Sequence, residues 1–199
     1  MGTWKSRGLR GSTLEEWINH TNEQYRERKL ALIQKIPTPI TPIEINQASR
    51  HITLAYFDQK STVDYIGAVQ SIPVCFDAKE CASETFPLRN IHLHQLRFMQ
   101  EFEAQGGIAF ILLMFTQKDE TYYVPLRDIE RFWARMEAGG RKSFTYEEID
   151  KSYRVRRHQE MLVHYLEEIQ LDLDQRAELE HQKIAERQRE KENKYVRSD

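Results

Sequence analysis

Apolar side chains recur along the chain at two different periods, and the switches between them divide it into elements. Leu14, Trp17, Ile18, Thr21 and Tyr25 fall on one helix face, because residues three and four apart are neighbours at 3.6 residues per turn. Ser12-Thr13-Leu14-Glu15 has the S-x-x-E pattern of a capping box, so the helix is predicted to start there and run to about Lys29. Leu30 to Ile36 reads as a strand. Pro37, Pro39 and Pro42 then exclude a helix and any central strand. Ile43 to Ile45 and Ile52 to Phe57 are short strands within or returning from that excursion, so 37–60 is predicted to project from the body.

The pattern becomes less ordinary over Ser61 to Glu80, STVDYIGAVQSIPVCFDAKE, where acids sit among strand-forming residues. It predicts two paired strands joined through Gln70-Ser71-Ile72-Pro73. Alternation at period two puts Asp77 and Lys79 on one side of the second strand, with Ala78 turned away. Asp64 can lie beside them. Further on, Ile91, His94 or Gln95, Phe98 and Phe102 mark a helix beginning near Asn90, with Gly106-Gly107 as its C-terminal cap. Ile108 to Phe115 is a continuous apolar run, the pattern of a strand covered on both faces. Thr121 to Pro125 returns beside it, and Ile129, Phe132, Trp133 and Met136 give another helix ended by Gly139-Gly140. Met161, Leu162, Tyr165, Leu166 and Ile169 predict a last helix with an apolar face. Beyond Leu173 only Leu179 and Ile184 continue it, so 172–199 is expected to be a frayed extension or a partner-dependent coil. Helices alternating with a mixed sheet predict an α/β or α+β sandwich, with 37–60 projecting as a stalk and a long C-terminal helix.

Composition narrows the class. The 199 residues suit one well-cored domain of about 150 residues plus an appendage. The organisation expected is a mobile arm over 1–11, a body over 12–170 and a charged helical or disordered tail over 171–199. No apolar run approaches the roughly 20 residues needed to cross a bilayer, and the start lacks a signal-peptide core, so a cytoplasmic protein with no membrane partner is expected. Cys75 and Cys81 have no second pair to complete a zinc site and read as reduced, packed thiols. A net charge of −2 does not advertise nucleic-acid binding. Any such partner must use local patches, of which there are two: Lys5, Arg7 and Arg10 in the arm, and Lys151, Arg154, Arg156 and Arg157.

The chemistry rests on Asp64 and the D-x-K of Asp77-Ala78-Lys79. A preceding aspartate and a downstream acid-x-lysine on neighbouring strands form the pattern of metal-dependent nucleases. Phosphodiester hydrolysis needs a cation against the phosphate, a water of lowered pKa and charge to offset the leaving oxygen. Asp64, Asp77 and the Ala78 backbone carbonyl suit Mg²⁺, and Lys79 suits the attacking water. The bland alternative is a surface ion pair worth at most about 1 kcal/mol. Glu15 is explained equally by helix capping or by the site. His92 and His94 share no helix face and make a poor metal pair, while Gln95 can either reach the site or be an ordinary surface polar group.

Several short runs, in order and with similar spacing over about 7–150, resemble the bacterial RecU family of Holliday junction resolvases. They are Gly11-x-x-x-Glu15, Lys35-Ile36-Pro37-Thr38-Pro39, Ser61-Thr62-x-Asp64-Tyr65-x-Gly67, Asp77-Ala78-Lys79-Glu80, Phe86-Pro87-Leu88-x-Asn90-x-His92-x-His94-Gln95 and Gly140-Arg141-Lys142-Ser143. The resemblance implies a restriction-endonuclease-like fold, a homodimer and Mg²⁺- or Mn²⁺-dependent cutting of four-way DNA junctions in recombination and repair, with a recombinase as a further partner. It implies a nucleoid-associated cytoplasmic enzyme. By matched positions Asp64 and Asp77 are metal ligands, Lys79 the catalytic lysine and Glu15 the first-helix acid, with Thr62 and Gln95 close by. The excursion corresponds to the family's stalk, where Arg50 and Lys60 are the basic residues expected to meet DNA, alongside those of the arm. The family commonly has Glu where Asp77 stands, one methylene longer, and the tail lies outside the resemblance. A non-catalytic DNA-bridging or recombinase-modulating factor on the same fold, and a sequence-specific restriction enzyme, are the rival readings.

Overall fold

The structure is a computed structural model that describes residues 13–57, 62–158 and 160–196. Its centre is a six-stranded mixed sheet in the order β1-β4-β5-β7-β8-β10. The strands are β1 (Ala31–Lys35), β4 (Tyr65–Val69), β5 (Ile72–Cys81), β7 (Ile108–Phe115), β8 (Glu120–Pro125) and β10 (Arg154–Val155). All neighbours are antiparallel except β5 and β7. A parallel pair needs a crossover, and helix α2 (Leu93–Ala104) supplies it. The mixed sheet flanked by helices is the architecture expected from the sequence.

The hairpin at the centre turns in two residues, because Val69 already pairs with Ile72. Gln70 and Ser71 both take positive φ, 46° and 75°, the twist that lets a two-residue loop join two right-twisted strands. Pro73 is tolerated in β5 because it lies ahead of Val74, where pairing with β7 begins. Asp64 lies just outside β4, whose ladder with β5 ends at Tyr65 and Phe76.

The two faces of the sheet bury different side chains. On one, Tyr65, Phe76, Phe110, Tyr123 and Tyr153 form a row of stacked rings with centroids 4.7, 4.7, 4.2 and 5.4 Å apart. Each such contact contributes about 0.5–1.5 kcal/mol beyond the area it buries. Helix α1 (Thr13–Glu27) packs on the sheet through Leu14, Ile18, Thr21, Asn22 and Tyr25. Trp17, placed on that stripe by the sequence, is instead partly exposed beside Arg157. The other face joins Cys75, Ile111, Leu113, Phe115, Tyr122 and Val124 to Leu96 and Met99 of α2 and to Ile129 and Phe132 of α3 (Leu126–Glu137). All eight residues of β7 are buried, as its unbroken apolar run requires.

The excursion is a two-stranded antiparallel ribbon, β2 (Ile40–Asn46) against β3 (His51–Phe57), forming a sheet of its own with irregular register around Glu44. A second small sheet pairs β6 (Thr85–Pro87) with β9 (Ser143–Thr145), which the sequence reading missed. Phe144 there stacks on Phe132 at 4.5 Å. The described residues form two compact units, one through His164 and one from Tyr165. The second is a single helix, α4 (Leu166–Val196). One expectation is corrected here: Met161 and Leu162 precede the helix, which runs on through 172–196 as the long C-terminal helix expected of the chain. Pairs at i,i+4 such as Arg176 Nε to Asp172 Oδ2 at 3.0 Å and Gln170 Nε2 to Asp174 Oδ1 at 2.9 Å support it along its surface.

Candidate active site

Alternation along β5 sorts its side chains. Cys75 and Cys81 belong to the core packed by α2 and α3, so Asp77 and Lys79, at the same parity, emerge on that face. Phe76, Ala78 and Glu80 point to the α1 face. Glu80 Oε1 there accepts from the Leu14 N–H at 2.8 Å, capping the start of α1 across 66 residues of sequence. The expected capping partner of Glu15, Ser12, lies outside the described residues.

Where the β4–β5 ladder ends, the side chain of Asp64 takes over from backbone pairing. Its Oδ2 accepts from the Ala78 N–H at 3.0 Å, and its own N–H donates to Asp77 Oδ1 at 2.9 Å. The Asp64 carbonyl accepts from the Ile36 N–H at 2.8 Å, tying the turn to the end of β1. These bonds fix both carboxylates from the main chain. Lys79 Nζ lies 3.0 Å from Asp77 Oδ2 and 3.9 Å from Asp64 Oδ2. The structure thus brings together the three residues singled out in the sequence.

Burial gives the cluster its character. The Asp77 side chain is 0% exposed, against 26% for Asp64 and 19% for Lys79. Desolvation raises the Asp77 carboxyl from 3.8 to about 6. The Lys79 ammonium opposes the rise and the Asp64 charge adds to it. Asp77 Oδ2 has the Lys79 ammonium as its ion-pair partner at 3.0 Å and accepts from no other donor among the described residues. A buried carboxylate oxygen left this way is costly. The residues fit a hard divalent cation: two carboxylates fixed from the main chain, Asp77 buried and Asp64 partly exposed, with an ammonium beside them.

Other predicted residues are placed as follows. Glu15 Oε2 accepts from Lys35 Nζ at 2.6 Å. It borders the cluster through Tyr65, whose hydroxyl donates to the Glu15 carbonyl at 3.5 Å and to Asn19 Oδ1 at 3.0 Å. Burial first, then the charges of Glu15 and Asp64, raise the Tyr65 phenol well above its ordinary range. Cys75 is buried on the site's face, and burial followed by the charges of Asp77 and Glu103 raises its thiol, so it stays protonated. Gln95 is buried, and its Oε1 accepts from the His92 N–H at 3.1 Å, closing the start of α2. Thr62 lines a depression with His92, His94 and Arg97, and the two imidazoles stack at 5.4 Å. Arg50 is exposed in the ribbon's turn with a φ of 55°. Lys5, Arg7, Arg10 and Lys60 lie outside the described residues.

The roles of Glu80 and Lys35 were not read from the sequence. The only signals were their places beside the D-x-K and before the first proline. Neither reveals a contact that depends on how α1 lies over the sheet.

A protein-family model described as RecU, Recombination protein U, matches residues 9–171. The chain belongs to the RecU family. Among its relatives, the Holliday junction resolvase RecU of Geobacillus kaustophilus (strain HTA426) is 44% identical over 146 residues, covering 71% of this chain and 73% of that protein. The protein of the same name from Bacillus thuringiensis (strain Al Hakam) is 43% identical over 144 residues, covering 70% and 72%. Archaeoglobus fulgidus Hjc, a Holliday junction resolvase from an archaeal hyperthermophile, has a solved structure matching at a TM-score of 0.35 and 11% identity, over 69% of this chain and 86% of that one. That likeness is too weak to inform the fold.

Proposed function

We propose that this chain is a structure-selective endonuclease that resolves four-way DNA junctions by divalent-cation-dependent hydrolysis, with Mg²⁺ the ordinary ion and Mn²⁺ able to replace it. The observation that carries the reading is the buried Asp77, held from the main chain beside Asp64 and paired with Lys79 at 3.0 Å. Asp64, Asp77 and the Ala78 carbonyl would hold the cation, which supplies Lewis acidity and a water of lowered pKa. Lys79, 3.0 Å from Asp77, orients the attacking water and steadies the phosphate as charge builds. Glu15, kept in place by Lys35, and Thr62 and Gln95 complete the surroundings. The chain's family and the names of its relatives support the junction as substrate.

Two symmetric nicks require two sites, which a two-fold homodimer supplies. The ribbon, with Arg50 at its tip, would reach toward the junction centre. Among the described residues no helix is long and apolar enough to cross a membrane. As an enzyme of recombination and repair it would work on DNA in the cytoplasm, with a recombinase as its partner. The test is competition: a mobile four-way junction and linear duplexes of the same arm sequences are offered together with Mg²⁺ or Mn²⁺. Cutting of the junction alone is expected. Cutting of the duplex at one defined sequence would make it a restriction enzyme, and binding without cutting would make it a DNA-bridging factor.

A further inference from the structure

The basic run Lys151 to Arg157, one of the two patches noted in the sequence, takes no part in the carboxylate site. In the structure it lines a groove of about 540 Å³ along the β10 edge of the sheet, with Asp119 and Glu120 opposite. The groove is built rather than merely charged. Arg154 pairs with Glu120 at 3.0 Å, and Glu120 is itself held by the Tyr122 and Tyr146 hydroxyls at 2.8 and 2.7 Å. Arg157 pairs with Asp119 and stands 4.6 Å from the centre of the Trp17 ring, which stiffens its guanidinium.

Cations outnumber carboxylates in the groove lining, with Glu147 and Asp150 also acting on Lys151 from beside it. Four cations, Lys151, Arg154, Arg156 and Arg157, meet two carboxylates, and those two are committed to Arg154 and Arg157. Lys151 Nζ donates to the Tyr146 and Ile149 carbonyls and lies 3.7 Å from the Tyr146 ring centre, with no carboxylate bonded to it among the described residues. Arg156 is exposed and bonded to no described residue. Arg154 and Arg156 flank the buried Val155, and both are exposed and line the groove. That arrangement suits a row of phosphates rather than one small anion.

Position adds the rest. Arg154 pairs with Tyr122, Tyr122 with Leu113 and Leu113 with Lys79, so the groove and the catalytic lysine end one row of the sheet. Three strand spacings separate them, about 14 Å. The residues between them, Leu113 and Tyr122, are buried, so the groove is a separate cationic contact on the same sheet as the carboxylates.

We propose that this groove is a second anchor for duplex DNA, taking the phosphodiester backbone of an arm flanking the cut through Arg156 and Lys151. The inference rests on the DNA substrate proposed above, but binding can be read without cleavage. The experiment is fluorescence anisotropy of a labelled linear duplex and a labelled junction, with the full chain in EDTA, over a salt series. Arg156→Ala should lower the log–log salt slope by about 0.9 on both DNAs, Arg156→Lys should restore it, and Arg156→Glu should weaken binding further. Thermal melting should be unchanged, since Arg156 is exposed and bonded to no described residue.

Slopes and affinities of Arg156→Ala and Arg156→Glu matching the parent would overturn the proposal, as would an absence of salt-dependent binding by the parent. Parallel cleavage of the junction with Mn²⁺ separates the two readings. A parent that fails to cut while Arg156→Glu loses affinity removes the catalytic reading and leaves the anchor. A parent that cuts, with Arg156→Glu binding as well as it does, removes the anchor alone.

Discussion

Asp77→Asn should stabilise the cation-free protein at neutral pH. Asp77 carries a carboxyl raised from 3.8 to about 6, chiefly by burial. Below the ordinary value it is neutral in both folded and unfolded chains and contributes nothing. Between the two values the unfolded chain ionises first, so stability falls as pH rises. Above about 6 the deficit is complete, roughly 2 pK units or about 3 kcal/mol. Asparagine keeps an Oδ1 to accept from the Asp64 N–H, now at 2.9 Å, and removes the buried charge. At about 2–4 °C per kcal/mol for a chain of this size, thermal melting at pH 8 should rise by roughly 5–10 °C, and the gain should vanish near pH 4. Adding Mn²⁺ at about a hundred times its dissociation constant should stabilise the parent by about 2.7 kcal/mol and the variant hardly at all. An Asp77→Asn protein that melts lower than the parent at pH 8, or gains equally from Mn²⁺, would refute the reasoning.

Other outcomes follow from the same structure. Lys79→Met should lower junction cutting by about 10²–10³ while leaving junction affinity in EDTA nearly unchanged, as a gel-shift titration beside a cleavage time course would reveal. Gly67→Ala should cost about 2–4 kcal/mol in urea unfolding, because a Cβ there would overlap the Leu32 carbonyl and come within 2.7 Å of Ile33 Cα. Glu148 accepts from Arg135, from Arg141 and from the Thr145 N–H, and Arg135 first among these holds its carboxyl at about 2. Its folded value is depressed, so its stabilisation is present above its ordinary 4.5 and lost as pH falls towards 2. Glu148→Ala should therefore weaken the protein at pH 7 by about 1–2 kcal/mol and make little difference at pH 2, by urea unfolding at both.

The central hairpin was legible because local rules settle it. A strand alternates faces at period two, so Asp77 and Lys79 had to emerge together, and the all-apolar Ile108 to Phe115 had to be covered on both sides. What escaped depends on contacts between distant parts. Nothing near Leu14 announces that Glu80 caps its N–H, and nothing near Glu15 announces Lys35. The β6–β9 pair is only three residues long on each side, too short to leave a pattern, and is stabilised by Phe86 and Phe144. The last helix was legible as a helix, and only its start was placed too early, since Met161 and Leu162 precede it. Its apolar stripe thins after Leu173, but a sequence rich in helix-forming Glu, Gln, Lys and Arg continues it to Val196.

The measurement that bears most directly on the account maps nicks on a mobile four-way junction labelled on each strand in turn, with Mg²⁺ or Mn²⁺ and the full chain. The account predicts paired nicks at symmetry-related positions of two opposed strands by the parent, and none by Asp77→Ala or Asp64→Ala proteins that still bind the junction. Unpaired or absent nicks by the parent, or paired nicks that persist in Asp77→Ala, would contradict it.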